Sequence, residues 1–77
     1  MADTHVVLNA PAISCDHCKM AIEKAVGVMS GVGAVEVDVH EKTVTVDFDA
    51  HGVTLEAIEA TMADEGYEVV GRHVFDV

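Results

Sequence analysis

Two short runs of strict alternation constrain this chain most. Val35, Val37 and Val39 alternate with Glu36, Asp38 and His40, and Val44, Val46 and Phe48 alternate with Thr43, Thr45 and Asp47. Successive side chains of an extended strand point to opposite faces, so a period of two gives each run one apolar side. The short gap at Glu41-Lys42 makes the pair an antiparallel hairpin. Its valine face must be covered, while its acidic and threonine face stays solvated.

Two helical patterns supply the cover. Within residues 16–29, Cys18, Ile22, Ala25, Val26 and Met29 recur at helical spacing, with Lys19, Glu23 and Lys24 on the other face. Gly27 costs about 1 kcal/mol relative to alanine inside a helix, so the last turn is expected to fray before Ser30-Gly31-Val32-Gly33. Thr54 suits an N-cap and Glu56 a first helical turn. Leu55, Ile58 and Met62 form the buried stripe of this second helix, and Gly66 stands where a left-handed cap belongs.

Residues 4–10 read as the first strand, with Pro11 at its end because a strand interior would miss the N–H. Residues 67–70 read as the fourth strand, and residues 71–77 either extend it or wrap onto the core. The order is β-α-β-β-α-β, an α+β, ferredoxin-like sandwich with a four-stranded antiparallel sheet and two helices on one face. A length of 77 residues sets one domain, 1–77, with its core at about 4–71. The hydrophobic share of 51% suffices for a small core.

Charge narrows the partners. The formal net charge is −10, from 14 acidic against 4 basic residues. Such a chain repels phosphate backbones and anionic membranes and steers toward cations or basic protein surfaces. Scarce aromatics and the lack of tryptophan argue against stacking platforms for nucleic acid. No run reaches the ~20 apolar residues of a membrane span. Residues 1–5 do not resemble a signal peptide, so a cytoplasmic, free-standing protein is expected.

Chemistry concentrates in Cys15-Asp16-His17-Cys18, which holds both cysteines at the start of the first helix. In a reducing compartment such a pair binds metal or does redox work. Thiolates select soft ions such as Cu(I) and Zn(II). Zinc prefers four ligands, which two thiols with Asp16 or His17 beside them supply poorly, whereas Cu(I) accepts two sulfurs in near-linear geometry. The helix start should also favour the thiolate form.

In this loop and this element order, the motif resembles that of the heavy-metal-associated domain family, in particular the small bacterial copper chaperones. The similarity spans about residues 4–71. It includes Ile13-Ser14-Cys15-Asp16-His17-Cys18, the helix Met20-Ala21-Ile22-Glu23-Lys24-Ala25-Val26, the hairpin, and Glu65-Gly66-Tyr67-Glu68-Val69. The family usually places Gly and Met before the motif, where this chain has Ala12 and Ile13. In the family that Met packs beneath the loop, a task Ile13 can take over with a small packing change. Bacterial members commonly carry Tyr before the last strand, as Tyr67 does here.

The resemblance implies a non-enzymatic carrier of Cu(I) on Cys15 and Cys18. It would pass the ion by ligand exchange to the metal-binding domain of a copper-transporting P-type ATPase, with a metal-responsive repressor as a second partner. A monomer is expected without metal, with a metal-bridged homodimer left open. Around the ligands, Tyr67 is either a hydrogen-bond donor shielding the centre or a core aromatic. His17 is expected to face solvent and Asp16 to be a helix-start acid. Met29 and Met62 read as core and Met20 as outer face, while His5, His40, His51 and His73 read as surface residues. Alternatives remain a Zn(II), Cd(II) or Hg(II) carrier on the same scaffold, an excised ATPase domain, and a small dithiol oxidoreductase. Zinc-preferring members put Asp where Ser14 stands. Thioredoxin-like proteins have an aromatic before the motif and a different element order.

Overall fold

The hairpin forms as its alternation requires. In the computed structural model, which describes residues 4–76, β2 (Val32–Asp38) pairs antiparallel with β3 (Thr43–Phe48), setting Val35 against Val46 and Val37 against Val44. On the far side of β3 lies β1 (Thr4–Asn9), with Val6 opposite Val46 and Leu8 opposite Val44. Valines and leucine therefore stack across three strands on one sheet face. The fourth strand, β4 (Gly71–Asp76), pairs antiparallel with the free edge of β1, giving the order β2-β3-β1-β4.

Two helices cover that face. Ile22 and Val26 of α1 (Asp16–Gly27) and Ile58 and Met62 of α2 (Leu55–Asp64) are fully buried against Val6, Leu8, Val37, Val44, Val46 and Phe48. The β-α-β-β-α-β order and the ferredoxin-like sandwich are as expected. Thr54 caps α2 through its hydroxyl, which accepts from the Ala57 N–H at 3.1 Å. Gly66 takes the left-handed cap, with φ +93°. Gly31, at φ +95°, approaches the Gly52 and Val53 backbone so closely that a Cβ would sit 3.0–3.1 Å from it. That approach joins the end of α1 to the turn before α2. Among the described residues no helix is long and apolar enough to cross a membrane.

Three boundaries differ from the sequence reading. Residues 67–70 are not a strand; β4 occupies 71–76 instead. The Tyr67 N–H is still tied to the Met62 carbonyl at 2.9 Å, closing α2. The ladder begins only after the Val70 N–H reaches the Asn9 carbonyl. Tyr67 and Val69 pack on the core from this irregular crossing, which is why their pattern mimics a strand. Secondly, α1 stops at Gly27, and Met29 reaches the core from the following turn. Thirdly, β2 begins at Val32 through a register shift and ends at Asp38, leaving Val39 in the hairpin turn. The expectations for residues 1–3 and 77 lie outside the described residues.

Arg72 anchors β4 to the helical layer through a bidentate pair with Glu59 of α2, at 2.5 and 2.8 Å. The central role of helix burial gives a direct test. Ile58→Ala should lower the unfolding free energy in urea by about 2–5 kcal/mol, because a fully buried side chain leaves a cavity. Val28→Ala, at a position 79% exposed, should stay within about 0.5 kcal/mol of the parent.

Candidate functional site

The loop carrying the cysteines hangs from the end of β1. Its first turn closes when the Ile13 N–H donates to the Ala10 carbonyl at 3.0 Å. Ile13 itself is fully buried, so the chain is pinned to the core immediately before the motif. Lys42, in the β2–β3 turn, holds the same turn twice. Its carbonyl accepts from the Ala10 N–H at 3.0 Å, and its ammonium donates to the Ile13 carbonyl at 2.9 Å.

Cys15 is the N-cap residue of α1, with extended backbone (φ −159°, ψ 171°) and no side-chain cap of its own. Its carbonyl accepts from the Cys18 and Lys19 N–H groups at 3.1 and 3.3 Å. This single helical turn carries the two thiols to the same end of the helix, with sulfurs 3.7 Å apart. Both are free thiols; Cys15 is exposed, while Cys18 is half-buried and packs on the core. The pair is thus poised rather than bonded, since a disulfide needs about 2.05 Å.

Tyr67 comes from the crossing after α2. Its hydroxyl acts on the Cys18 thiol, and its ring packs on the core. The Cys18 thiol is brought down from 9.0 to about 6. The Tyr67 hydroxyl is the largest cause, followed by the Ser14 backbone N–H; partial burial opposes them, and the Cys15 thiol and N–H add smaller contributions. Tyr67 itself is held above the usual phenol range, first because it donates to Cys18 and then by desolvation and the nearby negative charges.

Asp16 and His17 are exposed on the first turn. Among the described residues no three His, Cys, Asp or Glu side chains gather into a metal cage. Neither residue is brought together with the thiols as a third ligand. Met20 is exposed, Met29 half-buried and Met62 buried. His40, His51 and His73 are exposed, whereas His5 is engaged with the Asp47 carboxylate across the β1–β3 ladder. Sequence reasoning missed Ser14 and Lys42. A backbone donor has no residue signature, and Lys42 acts on a carbonyl 29 positions away.

A lowered folded-state pKa makes a thiolate contribute stability that is fully present above the unfolded thiol value and lost as pH falls through the folded one. The reduced protein should therefore gain stability between about pH 6 and pH 9, and Cys18→Ser should flatten that rise. Thiolate ultraviolet absorbance should show Cys18 titrating higher in Tyr67→Phe than in the parent.

Residues 7–68 match the heavy-metal-associated domain family. The copper chaperone CopZ of Staphylococcus haemolyticus is 40% identical over 63 residues, covering 82% of this chain and 93% of that protein. A solved CopZ metallochaperone superposes with a TM-score of 0.83 at 33% identity, over 86% of this chain and 98% of the other. A copper-binding domain of the P-type ATPase HMA7 shares the fold at 22% identity and a TM-score of 0.81, over 94% and 93% of the two chains. The chain belongs to the heavy-metal-associated domain family.

Proposed function

We propose that this protein is a copper chaperone that binds Cu(I) between the thiolates of Cys15 and Cys18 and gives it up by ligand exchange. The observation that carries this reading is the site's donor set: two sulfurs 3.7 Å apart at a helix start, with no third His, Cys, Asp or Glu gathered beside them among the described residues. Cu(I) is satisfied by two soft sulfurs, whereas Zn(II) asks for four ligands. Cys18, with its thiol near 6, is already largely thiolate at neutral pH, so loading the ion there displaces few protons.

Exposure sets the mode of release. Cys15 lies open to solvent, so an acceptor thiol can approach and add a third sulfur to the ion. The bond to one of the chaperone's own sulfurs then breaks, and the ion crosses without ever being free. Tight holding and rapid transfer are compatible in this scheme because each step exchanges one sulfur for another. The acceptor is the cysteine-bearing metal-binding domain of a copper-transporting P-type ATPase, with a metal-responsive repressor as a second recipient. A net charge of −10 steers the carrier toward a basic docking surface. The protein acts in the cytoplasm as a carrier, not as an enzyme, and Cu(I) is its cargo.

Anaerobic titration against a chromophoric Cu(I) chelator tests the assignment. One equivalent should bind with affinity far above that for Zn(II), and Cys15→Ser or Cys18→Ser should each abolish competition with the chelator. Unchanged Cu(I) affinity in Cys15→Ser would overturn it. Preference for Zn(II), Cd(II) or Hg(II) over Cu(I) in the same assay would assign the scaffold to another soft metal.

A further inference from the structure

The outer face of α1 carries two metal-competent side chains that the thiol site does not use. His17 and Met20 stand three residues apart within α1. Residues at this spacing are neighbours on one helix face, with Cβ atoms about 5–6 Å apart. That face points away from the core, because Ile22 and Val26 supply the buried side of α1. Both side chains are exposed, and neither makes a hydrogen bond or ion pair among the described residues.

Met20 is the exception among its kind. Met29 is half-buried and Met62 fully buried, whereas Met20 is 67% exposed. Methionine is ordinarily among the more buried residue types. An exposed thioether fills no gap in the core, but its sulfur remains a soft ligand. Imidazole suits copper as well. One ring nitrogen and one thioether sulfur, a single turn apart, meet the needs of an ion that accepts two ligands. They leave Zn(II) two ligands short.

We propose that His17 and Met20 form a second, weaker site for Cu(I) on the outer face of α1, beside the thiol pair. A thioether carries no charge, so the site lacks the attraction that a thiolate offers a cation. Lys24, four residues beyond Met20 and exposed on the same face, opposes a second positive ion, while the exposed carboxylate of Asp16 at the helix start favours one. The thiols therefore fill first, and the outer site takes the second equivalent. This order of filling rests on the copper reading; the existence of the outer site does not.

The double variant Cys15→Ser/Cys18→Ser isolates the outer site. Anaerobic titration of that variant with Cu(I) alone, followed through the Met20 methyl and His17 ring signals in the NMR spectrum, reads it directly. Both signals should move together and saturate at one equivalent. Met20→Leu, which keeps the apolar side chain and removes the sulfur, and His17→Gln should each abolish saturation when added to this background. The parent protein gives a second reading, in which the first equivalent leaves the Met20 methyl in place and the second moves it. A Met20 methyl that never moves overturns the proposal, as does a His17 shift that saturates unchanged in the Met20→Leu background. Failure of the parent thiols to take the first equivalent would instead overturn the copper reading, with the double variant still deciding the outer site.

Discussion

The burial of Ile13 is the contact from which the rest of the site is suspended. The thiol pair sits where the loop after β1 enters α1, with Cys15 at the N-cap and Cys18 in the first turn, and loops hold geometry only where side chains tie them down. Ile13 is fully buried beneath the motif, among residues contributed by both helices and the sheet. Its N–H closes the preceding turn and its carbonyl receives Lys42. One residue thus fixes the backbone in the core on one side and frees Cys15 to solvent on the other. A rigid anchor with an exposed tip suits a group that must be presented to a partner.

The electrostatics of the site run against those of the molecule. The chain carries a net charge of −10, which by itself disfavours another anion. Local donors overcome this at Cys18: the Tyr67 hydroxyl and the Ser14 N–H act at hydrogen-bond range, where distant carboxylates are screened by solvent. The overall charge then remains available for steering. Short-range dipoles set the state of the Cys18 thiol while the net charge acts over longer range, so the two operate at different distances.

Period-two alternation was legible because Val44, Val46 and Phe48 must face the core if the hairpin pairs at all. The helical stripes were legible for the same reason, and Thr54 and Gly66 declared the ends of α2 through chemistry local to those residues. Where the reading failed, tertiary routing decided. Tyr67 and Val69 have the spacing of a strand but pack from an irregular crossing, and the strand proper is built from Gly71 onward by pairing with β1. Cys15 and Cys18 stood out by residue type, and Ile13 and Tyr67 through the resemblance to the family. Ser14 contributes through its backbone and Lys42 through a contact 29 residues distant, and neither leaves a pattern along the chain.

The account turns on a two-sulfur site completed by no side chain other than Cys15 and Cys18. X-ray absorption at the copper edge of the protein loaded with one equivalent of Cu(I), without added thiol, measures this directly. Two sulfur neighbours and the edge feature of near-linear Cu(I) are predicted. A nitrogen or oxygen neighbour from His17 or Asp16, or four-coordinate copper, would contradict it.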